Sequence, residues 1–257
     1  MIRFATALIL ALGAGMAVAG SDLEQTWQQA RAWLPGTLEP VVPANIPVRT
    51  EAAAVILYAH GCDGPGRITT ASARFLANAG YLIVAPDSFA RRDKPRSCDP
   101  SIPRGGLHRA VLGWRQAEMR NAMIRLRDLP ATHDLPIVLM GHSEGAITVA
   151  TIEAPDAALR IIEGWTCHAG WPEYRGLNAP SDQPVLALVG EDDPWFRLPV
   201  LRGDCGAFMP DGAPMRSVVY DAPGYLSAKH WLSFDREVQV TILKFLSNNL
   251  PVEKEKP

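Results

Sequence analysis

Within Gly141-His142-Ser143-Glu144-Gly145 a serine stands between two glycines, and Asp193 and then His230 follow it along the chain. A serine hydroxyl is a poor nucleophile until an imidazole accepts its proton, a carboxylate orients that imidazole and backbone amides stabilise the oxyanion. Ser143, Asp193 and His230 occur in the chain order nucleophile, acid, base, which suits acyl transfer from a sharp strand-to-helix turn. Asp192, the neighbour of Asp193, is the alternative acid, and either aspartate could instead cap a helix or end a turn. The oxyanion donors expected from this layout are the backbone N–H groups of Glu144, just after the nucleophile, and of Cys62, in the loop His60-Gly61-Cys62-Asp63-Gly64. The glycines of that loop would equally serve a plain strand-to-helix turn.

Such groups can meet only if strands deliver them to one rim of a sheet. The apolar run Ile137 to Met140 enters the serine turn, and a helix-compatible segment leaves it. Upstream, Ala53 to Ala59 and Tyr81 to Ala85 read as buried strands, separated by a helix from about Thr69 to Asn78. A helix is expected from about Leu107 to Leu129, with apolar residues at helical spacing at Leu107, Ala110, Val111 and Trp114 and again at Met119, Ala122, Met123 and Leu126. Ile161 to Thr166, Pro184 to Val189 and Ser217 to Tyr220 are the later strands. A last helix is expected to carry Trp231, Phe234, Val238, Ile242 and Phe245 and to end before Pro251. The alternation of strand and helix implies an α/β fold with a mostly parallel sheet covered on both faces. Near the start, Ser21 and Glu24 have capping-box spacing, so a first helix is expected to run towards Pro35. The proline-rich stretch 35–50 is compatible with edge strands.

The chain has 257 residues, 47% of them apolar and 20% charged, enough for one domain with a substantial core. Its first residues, through Ala17-Val18-Ala19, combine Arg3, an apolar run and a small-residue cleavage pattern. They read as a signal peptide over 1–19, with an uncleaved anchor as the alternative, followed by a domain over 20–250 and a charged tail over 251–257. No other stretch is apolar enough to span a bilayer. Export to a periplasmic or extracellular space would permit disulfides among the four cysteines. Of three possible connectivities, neighbouring loops favour Cys62 with Cys98 and Cys167 with Cys205; free buried thiols are the alternative. A formal net charge of -2 argues against general nucleic-acid binding.

Between Ala90 and Arg109 lie Arg91, Arg92, Lys94, Arg96, Arg104 and Arg109 against Asp93 and Asp99. Arginine forks suit carboxylates and phosphates, so Arg91 and Arg92 are candidate contacts for an anionic substrate or envelope surface; a solvated charged loop is the alternative. Trp195 and Phe196 are candidates for the acyl pocket. His60 and His168 also follow strands, but their spacings with His230 are not those of a metal chelate, so neither a metal nor any other cofactor is expected.

Together, His60-Gly61-Cys62-x-Gly64, Gly141-x-Ser143-x-Gly145, Gly190-x-x-Asp193 and His230 resemble the dienelactone hydrolase family of the α/β-hydrolase superfamily, over about Ala53 to Leu246. The resemblance implies the α/β-hydrolase fold, a sheet of about eight strands, and no large lid, since only the short segment His168 to Gln183 lies where lids are commonly inserted. It implies hydrolysis of a small ester or lactone. The sequence departs from the family where its name-giving enzymes use cysteine, here Ser143, and a glutamate in the early loop, where the nearest acid is Asp63. That departure points to a more general serine esterase. A catalytically silent binding protein, or a peptidase or acyltransferase on the same triad, are the competing readings.

Overall fold

The computed structural model describes residues 20–250. The expected signal peptide and the charged tail lie outside the described residues.

Five of the seven strands, β2 (Val55–Ala59), β3 (Leu82–Ala85), β4 (Ile137–His142), β5 (Leu159–Glu163) and β6 (Val185–Gly190), are buried throughout. Burial on both sides is what a parallel sheet covered by helices requires. Alternate residues serve opposite faces. Val55, Leu57 and Ala59 join one core with Leu112, Met119 and Leu126, while Ile56 and Tyr58 join the other with Leu76, Val238 and Ile242. Accordingly a helix over 20–28 (α1), α3 (Ala110–Asp128) and α4 (Glu144–Thr151) cover one face, and α2 (Arg67–Asn78) and α5 (Arg236–Asn249) cover the other.

With β1 (Arg31–Trp33) and β7 (Met215–Tyr220), the sheet runs β1-β3-β2-β4-β5-β6-β7, parallel except for β1. The chain moves from β2 outward to β3, then returns to place β4 on the other side of β2. At such a reversal the loops after the two strands part and leave a crevice at their carboxyl ends. The loop after β2 carries Cys62, and the turn after β4 carries Ser143.

The structure differs from the sequence reading in four places. The first helix stops at residue 28, and Arg31 to Trp33 pair antiparallel with β3. Sheet pairing and full burial of Trp33 outweigh the local helical pattern there. The stretch 35–50 forms a short 3-10 turn at Pro43–Asn45 and one bridge from Ala32 to Val41, so the described sheet has seven strands. Prolines without N–H groups cannot extend a ladder. The strand expected at Ile161 to Thr166 is Leu159–Glu163, ended by Gly164 at φ 70°. Trp231 and Phe234 lie in the loop before α5, which Asp235 caps by accepting from the Glu237 amide at 2.8 Å.

Both disulfides join the expected pairs, Cys62 with Cys98 and Cys167 with Cys205. Among the described residues no helix is long and apolar enough to cross a membrane.

Candidate active site

Ser143 sits between β4 and α4 with φ 58° and ψ -121°, a conformation that side chains other than glycine seldom adopt. Two glycines allow it. A Cβ at Gly141 would overlap the Gly145 carbonyl, and a Cβ at Gly145 would overlap the carbonyl of Ala59 at the end of β2. The turn is therefore pressed against the neighbouring strand, which lifts the Ser143 side chain above the sheet.

Ser143 Oγ lies 2.8 Å from Nε2 of His230, and Nδ1 of His230 lies 2.6 Å from Oδ2 of Asp193. Asp193 is buried, and its other oxygen accepts the Trp195 amide at 3.0 Å. The same carboxylate thus caps the turn Pro194–Phe196 and meets the imidazole, so the two sequence readings of this aspartate coexist. Asp192 is exposed and faces away. The His230 ring stacks on Trp195 at 4.9 Å between centroids, with Phe196 at 5.7 Å.

The loop that carries His230 is held by groups that the sequence reading passed over. Glu163, fully buried at the end of β5, accepts from the amides of Leu232 at 2.8 Å and Ser233 at 2.6 Å and from the Ser233 hydroxyl at 3.0 Å. Burial pushes its carboxyl up from the usual range, a shift those hydrogen bonds oppose. His142 Nε2 lies 3.3 Å from the His230 carbonyl. Burial lowers the His142 pKa to about 3, with the nearby His230 acting in the same direction, so its imidazole is neutral.

In the loop after β2, the carbonyl of Gly61 is met by Nδ1 of His60 at 2.7 Å, Nη1 of Arg115 at 3.2 Å and the Gly64 amide at 3.3 Å. In a trans peptide the carbonyl and the following N–H point in opposite directions, so anchoring the Gly61 oxygen fixes the Cys62 N–H on the side away from those three groups. The Glu144 N–H belongs to the first turn of α4, where helical amides have no carbonyl partner within the helix. His60 also accepts the Ser88 amide at 3.3 Å; burial, then the Arg115 charge, hold its pKa well below normal.

Arg115 and Glu118 both project from the buried side of α3. Their signal was present: they fall in register with Val111, Ala122 and Leu126, so charged residues occupy an otherwise apolar stripe. Glu118 accepts from Ser88 at 2.5 Å and from Arg91 at 2.8 Å.

That contact corrects the expectation for Arg91. Its guanidinium is buried between Glu118 and Asp22, 3.2 Å from the latter, and does not line the crevice. Two buried carboxylates compete for it more strongly than an open cavity could. Arg92 is exposed, away from the crevice, with its amide towards Asp22. Asp63, the early-loop acid, pairs with Arg96 at 2.7 Å on the surface.

The crevice holds a cavity of about 290 Å³ reaching Cys62, Ser143, Glu144 and His230. Trp165, Trp171, Tyr174, Trp195 and Phe196 are among the residues that line it. Two segments carry these rings, one after β5 and one after β6, and the Cys167–Cys205 disulfide ties them together. Trp195 and Phe196 line this cavity beside aromatic residues that the sequence reading did not single out. His168 packs edge-on against Phe208, and among the described residues no three His, Cys, Asp or Glu side chains converge as metal ligands would.

No protein-family model matches the sequence, and no curated protein matches it. Solved structures do. A lidless α/β serine hydrolase from Xanthomonas campestris is 14% identical, with 88% of this chain and 90% of that one covered and a TM-score of 0.56. A dienelactone hydrolase from Anabaena variabilis is 17% identical over 86% of this chain and 92% of that one, TM-score 0.54. An esterase from Pyrococcus furiosus is 16% identical over 78% and 84%, TM-score 0.52. At these identities the likeness speaks for architecture: the chain has the α/β-hydrolase fold.

Proposed function

We propose that this protein is a serine hydrolase that cleaves carboxylic esters through an acyl-enzyme. The observation that carries the reading is the continuous contact from Ser143 Oγ through the His230 ring to Asp193, at 2.8 and 2.6 Å. Ser143 attacks the ester carbonyl while Nε2 of His230 takes its proton; Asp193 keeps Nδ1 protonated and faces the imidazolium that forms. The N–H groups of Cys62 and Glu144 receive the oxyanion. His230 then returns the proton to the leaving alkoxide, and water, deprotonated by the same imidazole, releases the acid.

The wall of the cavity supports a neutral substrate. Five aromatic rings surround the nucleophile, no arginine or lysine is among the lining residues, and about 290 Å³ suits an aryl or medium-length acyl group. The tryptophan-rich wall also speaks against the anionic ester that the basic loop suggested. The names of the structural neighbours, dienelactone hydrolase and esterase, agree with ester chemistry. Two disulfides beside the site suit a periplasmic or secreted enzyme, in line with the signal-like start of the sequence.

The test is a panel of neutral aryl, alkyl, lactone and anionic esters, with Ser143→Ala as control and a fluorophosphonate probe to label the nucleophile. Hydrolysis lost in the variant, with labelling at Ser143, supports the reading. An unlabelled protein that cleaves no ester would favour a silent binding module, and faster turnover of amides or of alcohol acceptors would favour a peptidase or acyltransferase.

A further inference from the structure

Ser97 and Cys98, adjacent in sequence and both buried, each make a side-chain link to one of the two residues, Cys62 and Glu144, whose amides the hydrolase reading assigns to the oxyanion. Cys98 is disulfide-bonded to Cys62, 36 residues away. The Ser97 hydroxyl donates to Oε2 of Glu144, 47 residues away. The loop that bears them is held in turn by the Leu107 amide, which donates to the Ser97 carbonyl at 3.0 Å. One dipeptide therefore spans the gap between the loop after β2 and the first turn of α4.

From this we infer that Ser97 and Cys98 are positioning residues for the oxyanion hole, holding the amides of Cys62 and Glu144 at a fixed separation. The inference rests on the hydrolase reading above and adds the residues that set its geometry. Such a hole works only if both donors lie about 2.7–3.1 Å from the developing oxyanion, so a shift of a few tenths of an ångström in either loop is felt in the rate. The two donors come from chain segments far apart in sequence, and a shared tether fixes the position of one against the other.

The chemistry at Glu144 also points to a role other than stability. Its side chain is buried, and Oε1 has no hydrogen-bond partner among the described residues. Burial raises the pKa of this carboxyl, against the opposing influence of Arg115 and the Ser97 hydroxyl, and Glu118 adds to the rise. A buried polar atom without a partner is costly, and an apolar residue would fill the position more cheaply. Local rules broken beside a reactive centre are characteristic of functional sites.

The test uses the mature protein and the variants Ser97→Ala, Ser97→Thr and the double variant Cys62→Ala/Cys98→Ala, which keeps every backbone amide. For a neutral aryl ester, kcat should fall about tenfold or more in Ser97→Ala and in the double cysteine variant, while KM stays within about threefold. Phenylboronic acid, whose tetrahedral adduct on Ser143 places an oxygen in the hole, should bind more weakly by a similar factor. Ser97→Thr, which retains the hydroxyl, should recover most of the rate. If Ser97→Ala and the cysteine variant lose thermal stability but keep kcat and boronate affinity within about twofold, the links are only structural and the inference is overturned. Should the cysteine variant fail to fold, the serine pair decides alone: equal kcat in Ser97→Ala and wild type overturns it, and loss with recovery in Ser97→Thr supports it. A wild-type protein that neither cleaves esters nor reacts with a fluorophosphonate at Ser143 removes the hydrolase reading and this inference with it; labelling with unaltered variant rates removes only the inference.

Discussion

His142 donates from Nε2 to the carbonyl oxygen of His230, 3.3 Å away, so the residue before the nucleophile holds the backbone of the residue that faces it. The carbonyl can only accept, which places the proton on Nε2, and burial keeps the ring neutral by lowering its pKa from 6.5 to about 3. Glu144, on the other side of the nucleophile, is shifted upward by burial. These shifts have opposite consequences for stability. Below pH 6.5 the unfolded chain protonates His142 while the folded chain does not, so stability is lost as pH falls towards 3, by at most about 1.4 kcal/mol per pH unit. Burial makes the Glu144 carboxyl ionise less readily in the fold than in the unfolded chain, so its contribution is lost as pH rises above about 4.3. Urea unfolding across pH 4 to 8 should show a shallower acid-side decline in His142→Gln and a shallower alkaline-side decline in Glu144→Gln. Curves parallel to wild type in both would refute the assigned protonation states.

Glu163 ties the His230 loop to β5 through three hydrogen bonds from Leu232 and Ser233. Glutamine in its place turns an N–H towards those donors and leaves one unpaired, at a cost of about 1–3 kcal/mol. Glu163→Gln should therefore melt earlier and lose about tenfold in kcat as the imidazole drifts from Ser143. Full activity at a lowered melting temperature would show that the loop does not depend on this anchor for its geometry.

The proposed acid, Asp193, can be separated from its neighbour by substitution. Asp193→Asn should reduce kcat by about ten-thousandfold, since the amide leaves the imidazole in the wrong tautomer. Asp192→Asn, at an exposed position, should stay within about twofold of wild type. Comparable losses in the two variants would contradict the arrangement seen at His230.

Arg91 belongs to a buried ion cluster with Glu118 and Asp22. Arg91→Ala strands two carboxylates and should cost about 3–5 kcal/mol of unfolding free energy. The ratio of rates on anionic and neutral esters should not change. A selective loss of the anionic substrate, without loss of stability, would restore Arg91 to a binding role.

Gly145 marks the closest approach of the nucleophile turn to β2. Because an added Cβ meets the Ala59 carbonyl, backbone that cannot move aside, Gly145→Ala should abolish fluorophosphonate labelling or prevent folding altogether. A folded variant with normal labelling would show that the turn has more room than the close approach implies.

The sequence by itself determined the parallel α/β architecture, because apolar runs of strand length alternate with helical stripes and buried parallel strands need no polar face. It also determined the order Ser143, Asp193, His230, since the glycines beside the serine are a local steric requirement. Tertiary structure decided what local pattern cannot carry. It chose strand over helix for Arg31 to Trp33 by offering β3 as a pairing edge, and it separated Asp193 from Asp192 by burying one of them against His230. It drew Arg91 inward to carboxylates on α1 and α3, where charge count alone had placed it at the substrate. Above all it brought Glu163 and Ser97 to the site. Their partners lie tens of residues away, and hydrogen bonds between distant segments leave no periodicity in the chain.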